Sequence, residues 1–164
     1  MLESGRESFE TWARSRQQAL VRTAYLLTGD FHRAEDLVQD ALVKAAARWE
    51  TLAGGTPDAW IRTVVYRDHV SWWRRHRREV FTSPREQPVP AVDETALVLR
   101  EALGRLTPRQ RAVLVLRYVE DRSLAETADV LGVTVGSVKK HASIALARLR
   151  AVAPELDELV EERR

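Results

Sequence analysis

The stretch SLAETADVLGVTVGSVKKH, from Ser123 to His141, decides the fold. It reads as two short helices broken at Gly132. Ser123 and Glu126 have the spacing of a capping box, which starts a helix by satisfying two of its free backbone donors. Ala128 is small enough for two helices to cross closely, Gly132 tolerates the turn between them, and Val138 locks the second onto the first. Leu124 and Leu131 complete the buried stripe of the first helix. The second starts at Thr134 and runs to about Arg150, with Val135, Val138, Ala142, Ala145 and Leu149 as its inner face. Its opposite face carries Gly136, Ser137, Lys140, Ser143, Ile144 and Ala147, flanked by Lys139 and His141. Small residues admit such a helix to a DNA major groove. Lysine and serine reach phosphates and base edges, and an isoleucine suits a thymine methyl. Few of these side chains discriminate bases, at about 1–3 kcal/mol each, so the helix is expected to read DNA weakly by itself. A plain helical hairpin in a bundle is the alternative.

Working outward, the whole chain has helical periodicity and almost no strand signal, so the expected fold is all-α. TPRQ repeats the capping device, with Thr107 as N-cap, Pro108 in the first turn and Gln110 at the third position. Asp93 offers a cap for a helix reaching Leu103, with Gly104 as its stop. Upstream, EVFTSPREQPVPAVDE holds three prolines and no period, and reads as a linker. It separates two small helical domains, with expected bounds of 1–79 and 94–152 around a linker at 80–93. Residues 153–164 are an acidic tail expected to fray.

The N-terminal part contains three expected helices. The first runs from Phe9 to Leu27 and stops at Thr28–Asp30. Asp30 caps the second, whose Ala34, Leu37, Val38, Ala41, Leu42 and Ala45 form one apolar stripe. Thr56 and Pro57 start the third, which continues to about Arg78. This third helix interleaves Arg62, Arg67, Arg74, Arg75, Arg77 and Arg78 with Trp60, Tyr66, Trp72 and Trp73. Arginine binds phosphate and aromatic faces stack on unpaired bases, so the pattern suits melted DNA. The competing reading is a core of tryptophans with a solvated arginine end. It fits Trp60 well, beside Ile61, Val64 and Val65. Trp72 and Trp73 point about 100° apart, so at most one is expected to be fully buried.

Composition bounds the rest. The chain has 164 residues, 45% of them hydrophobic, a net charge of +2 and no cysteine. Disulfide frameworks and thiolate metal sites are excluded. The polar start MLESGRESFETWARSR has no apolar segment of a secretory signal, and no apolar run nears the roughly 20 residues that span a bilayer. A cytoplasmic protein is expected. His32, His69, His76 and His141 are scattered without metal-ligand spacing, and no glycine-rich phosphate loop occurs.

In order and spacing these segments resemble the extracytoplasmic-function (ECF) sigma factors, the small two-domain class of bacterial transcription initiation factors. LVRTAYLLTGDFHRAEDLVQDALVKAAARW resembles regions 2.1 and 2.2, and PDAWIRTVVYRDHVSWWRRHRR resembles regions 2.3 and 2.4. LTPRQRAVLVLRYVEDRSLAETADVLGVTVGSVKKHASIALARLR resembles region 4. RTAYLLTGD and RQRAVLVLRY look like the actinobacterial members.

The resemblance implies a subunit that binds core RNA polymerase and directs promoter-specific initiation, with no cofactor, metal or catalytic residue of its own. It implies docking on the β′ clamp helices through Asp36, Gln39 and Asp40, and a further contact of region 4 with the β flap. Minus-ten contacts would come from Trp60, Tyr66, Arg67, Trp72, Trp73, Arg74, Arg75, Arg77 and Arg78, beside the loop ETLAGGTPDA. Minus-thirty-five contacts would come from Ser137, Lys139, Lys140, His141, Ser143 and Ile144. An anti-sigma factor is a further implied partner, and no small-molecule substrate is implied. Arg67 stands where many members have asparagine, and Ile144 where many have arginine. An autonomous helix-turn-helix regulator and a sigma-like protein acting by partner sequestration are the alternative functions.

Overall fold

The computed structural model describes residues 2–76 and 94–161. The expected linker, the cap at Asp93, and Arg77 and Arg78 lie outside the described residues. The chain divides into two compact units, residues 1–77 and 78–164. All regular structure among the described residues is helical.

The first unit contains α1 (Leu2–Thr28), α2 (Phe31–Ala46), α3 (Trp49–Leu52) and α4 (Pro57–His76). Gly29 ends α1 at φ 69°, a conformation that favours glycine, and its N–H donates to the Tyr25 carbonyl. Asp30 caps α2 by accepting from the Arg33 N–H at 3.0 Å. Helix α2 then packs against both α1 and α4. Ala34, Val38, Ala41, Leu42 and Ala45 face Leu20, Ala24 and Tyr25 of α1 and Ile61 and Val65 of α4. Alanine at three of the five α2 positions lets neighbouring helices approach closely.

A second contact ties α1 to the start of α4. Phe9 and Trp12 form an aromatic cluster with Trp49, the two indoles 4.9 Å apart. The Trp12 indole N–H and the Arg16 guanidinium both donate to Asp58 Oδ1 at 2.9 Å. Burial raises the pKa of this carboxyl, but the hydrogen bonds from Arg16 and Trp12 and the charges of Arg16 and Arg62 outweigh it and hold it below the usual value.

Two expectations for this unit change. Helix α1 begins at Leu2, ahead of Phe9, because polar Glu3–Ser8 contains no breaker other than Gly5. Helix α2, expected to reach about Trp49, stops at Ala46, and Trp49–Leu52 forms a separate turn that brings the Trp49 ring into the α1 cluster.

The second unit contains α5 (Glu94–Gly104), α6 (Pro108–Leu114), a π-helical turn at Val115–Val119, α7 (Leu124–Leu131), α8 (Val135–Val152) and α9 (Asp157–Glu161). Both capping boxes form. Thr107 pairs with Gln110 at 3.2 and 3.3 Å, and Ser123 with Glu126 at 2.7 and 3.1 Å. Gly132 ends α7 at φ 64°, and Thr134 caps α8 by accepting from the Ser137 N–H. Helix α8 packs against α5, α6 and α7. Val138 and Ala145 are wholly buried, and Leu149 nearly so.

The end of the chain departs from expectation. Helix α8 runs on to Val152, and a 3₁₀ turn at Pro154–Leu156 folds back on it. Ala153 and Leu156 are buried, and Arg150 pairs with Asp157. The apolar content of PEL therefore docks the beginning of a segment that its charge suggested would fray.

Among the buried polar groups, a hydroxyl in α7 has a direct bearing on stability. Thr127 in α7 is wholly buried, and its hydroxyl has no hydrogen-bond partner among the described residues. Leaving a hydroxyl unpaired costs about 1–3 kcal/mol. Thr127→Val keeps the branched shape and removes the polar atom, so chemical denaturation should show a gain of about 1 kcal/mol. Thr127→Ser, which keeps the hydroxyl and deletes a methyl, should lose stability.

Candidate nucleic-acid interface

Helix α8 turns its inner face to α6 and α7, and that packing determines what remains outside. Gly136, Lys139, Lys140, Ser143, Ile144 and Ala147 are exposed, and Ser137 and His141 are half-buried. The sequence-predicted contacts therefore share the outward side and flanks of one helix. Val135 was expected inside but is 39% exposed, because it sits in the first turn beyond the crossing with α7.

A cation absent from the sequence-based site joins this surface. Arg109, in the first turn of α6, acts with Lys140 on the His141 imidazole. Burial, then the charges of Arg109 and Lys140, lower the His141 pKa from its ordinary value. Helix α6 thus adds positive charge beside the middle of α8. The capping box that places α6 also reaches α8, since Gln110 Oε1 accepts from the Arg148 guanidinium at 3.0 Å. Arg109 carried a sequence signal: it lies between a helix-starting proline and a capping glutamine, where a long cation projects from a fixed helix end.

In the first unit, one side of α4 carries both an aromatic and basic residues. Trp60, Arg67, Ser71 and Arg74 recur at i, i+7, i+11 and i+14, one stripe of the helix. Arg67, Ser71 and Arg74 are exposed, as is Arg75, while Trp60 is half-buried and packs partly on the core. Tyr66 does not join them. Its side chain is only 1% exposed, so the ring belongs to the core rather than to a base-stacking surface.

Trp72 is also placed differently from expectation. The Arg33 guanidinium of α2 lies 3.1 Å above its ring centroid. The His76 ring stacks on it at 4.3 Å with an interplanar angle of 13°. Both groups therefore pack against the indole, which is half-buried. Burial pushes the Arg33 pKa down, with Asp30 opposing. Lys44 of α2 reaches Asp68 of α4 at 2.6 Å and adds a second link between these helices. Trp72 therefore clasps α4 to α2, with Arg33 and His76 packed against its ring. Trp73 is half-buried on a different side.

Helix α2 turns Asp36, Gln39 and Asp40 outward, opposite its buried stripe. Val43, at i+7 from Asp36 and i+4 from Gln39, is 68% exposed on that side. This apolar residue was absent from the sequence-based docking site, although its spacing from the acidic residues was visible. The loop before α4, residues 53–56, is wholly exposed, and added side-chain bulk at Gly54 would meet nothing within 4 Å.

Comparison with known proteins follows the same division. Residues 12–79 match sigma-70 region 2, and residues 102–151 match sigma-70 region 4. The chain is 39% identical over 163 residues to the RNA polymerase sigma-E factor of Streptomyces coelicolor, covering 94% of this chain and 92% of that protein. It is 31% identical to the ECF RNA polymerase sigma factor SigM of Mycobacterium tuberculosis, covering 97% and 84%. Among solved structures it is similar to the sigma factor RpoE of Bartonella quintana, crystallised with the anti-sigma factor NepR. The TM-score there is 0.68, with 28% identity, over 96% of this chain and 99% of that one.

Two measurements check these placements. A cation over a desolvated indole is worth about 2 kcal/mol. Arg33→Ala should lower stability by about that amount and alter tryptophan fluorescence, whereas Arg74→Ala should stay within about 0.5 kcal/mol of wild type. By NMR titration, His141 should ionise below the ordinary imidazole value, and Arg109→Ala should raise it. Because the folded pKa is the lower one, the contribution of His141 to stability is present above its unfolded pKa of about 6.5 and is lost as pH falls through the folded value.

Proposed function

The chain belongs to the ECF RNA polymerase sigma factors, transcription initiation factors that direct core polymerase to promoters, and we propose how its two units divide that work. The region 2 domain, proposed at residues 1–79, docks on the β′ clamp helices through Asp36, Gln39 and Asp40, with Val43 as an apolar centre. Its helix α4 holds the melted minus-ten strand through Trp60, Arg67, Arg74 and Arg75, and Arg77 and Arg78, which lie outside the described residues, are further proposed contacts. Trp73 lies beside this surface. The region 4 domain, proposed at residues 94–152, meets the β flap and lays α8 in the major groove of the minus-thirty-five element. Ser137, Lys139, Lys140, His141, Ser143 and Ile144 make the contacts, and Arg109 adds a phosphate contact from α6.

The observation that supports this reading most directly is the sorting of α8. Val138, Ala145 and Leu149 are buried on the side that meets α6 and α7, and small and cationic residues are left outward at the end capped by Thr134. A helix N-terminus there favours phosphate, and small residues allow close approach to bases. Each unit alone offers few discriminating contacts. The linker at 80–93 makes binding of the second unit effectively intramolecular once the first has bound, which raises selectivity without new contacts.

An anti-sigma factor is the proposed controlling partner, by likeness to the Bartonella quintana protein crystallised with one. A subunit acting on chromosomal promoters works in the cytoplasm, which we propose as its location. No helix among the described residues is long and apolar enough to cross a membrane.

Run-off transcription on genomic promoter fragments, with purified core polymerase and with or without this protein, tests the reading. Specific transcripts should appear only with the protein. Tight sequence-specific DNA binding by the protein alone, with no effect on core polymerase, would indicate an autonomous regulator. Asp40→Ala should weaken core binding without altering DNA contacts. Lys140→Ala should weaken promoter complexes by about 1 kcal/mol or more.

A further inference from the structure

We propose that Ile144 is a specificity-determining residue that selects a pyrimidine carrying a C5-methyl group, in duplex DNA a thymine, in the upstream promoter element. The inference deepens the reading of α8 as the minus-thirty-five helix and rests on it.

Ile144 has no full role in the core. The inner face of α8 is supplied by Val138, Ala145 and Leu149, all buried, while Ile144 remains 37% exposed. It lies one turn beyond Lys140, and both are on the exposed side of the helix with Ser143 and Ala147. These neighbours set its reach. Ser143 and Ala147 are too short to hold the helix away from a groove floor, and Ile144 is the largest uncharged side chain among these exposed residues.

Charge brackets it. Lys140 precedes it by one turn, Arg148 follows it by one turn, and His141 beside it feels the charges of Arg109 and Lys140. Cations on both sides fix a helix on phosphates without reading sequence. The apolar group between them then meets a base edge.

In the major groove the only apolar group that a base pair presents is the thymine methyl. Every other base edge there offers a donor or acceptor that a branched alkyl chain desolvates without compensation. Ile144 therefore favours thymine and disfavours cytosine, guanine and adenine at the position it covers.

The test uses the full-length protein bound to core polymerase, on a promoter fragment identified by run-off transcription. Thymines of the upstream element are replaced one at a time by deoxyuridine, which lacks only the methyl. Burial of one methyl corresponds to about a fourfold change in affinity. One such replacement should weaken the wild-type complex by about fourfold and leave the Ile144→Ala complex unchanged. Ile144→Arg should lose the methyl dependence and steepen the salt dependence by about one counterion.

If every deoxyuridine replacement is neutral in wild type while ordinary base-pair changes in the element still weaken binding, the methyl assignment is overturned and the sigma reading stands. A methyl effect that persists in Ile144→Ala also overturns it. Failure of the complex to prefer any promoter fragment overturns both.

Discussion

The apolar stripe of α2 is the contact on which the first unit depends. Ala34, Val38, Ala41, Leu42 and Ala45 bury one side of this helix against α1 and α4. Arg33 and Lys44, near its two ends, then reach across to Trp72 and Asp68 of α4. One helix thereby fixes the position of α4 and turns Asp36, Gln39, Asp40 and Val43 outward. The surface proposed to meet polymerase and the helix proposed to hold the melted strand are set by the same packing. Trp72 is used to secure that arrangement, and base stacking is proposed instead for the stripe that starts at Trp60.

The second unit follows the same physical logic. Val138, Ala145 and Leu149 commit one side of α8 to the core, and the capping residue Gln110 also holds Arg148 of α8. A helix fixed at several points presents a rigid outer surface. That surface is mostly small, with cations at its margins, so it favours close approach over extensive base reading. Limited discrimination in one unit matches a protein whose selectivity comes from joining two units on one polymerase.

Local features were legible in the sequence because their causes are local. Asp30, Thr107, Ser123 and Thr134 cap the helices expected of them, and Gly132 adopts the left-handed turn its position required. The α2 stripe and most of the inner face of α8 followed from helical period alone. Tyr66 and Trp72 did not, because their surroundings come from elsewhere in the chain. Tyr66 looks like a surface aromatic among arginines until α4 is packed. The partner of Trp72 is an arginine on another helix, and nothing in the local pattern of either residue announces the pair. The π-helical turn at Val115–Val119 and the docked Leu156 likewise depend on packing within the second unit.

On the proposed division of work, each unit reads DNA weakly and polymerase makes the pair selective. Fluorescence anisotropy with a labelled promoter duplex and a scrambled duplex of equal length, at one fixed salt concentration, measures this directly. The protein alone should bind the two within a few-fold of each other, and core polymerase should raise the preference for the promoter to about 10³-fold or more. Tight binding of the promoter duplex by the protein alone, with the scrambled duplex excluded and no gain from polymerase, would contradict the account.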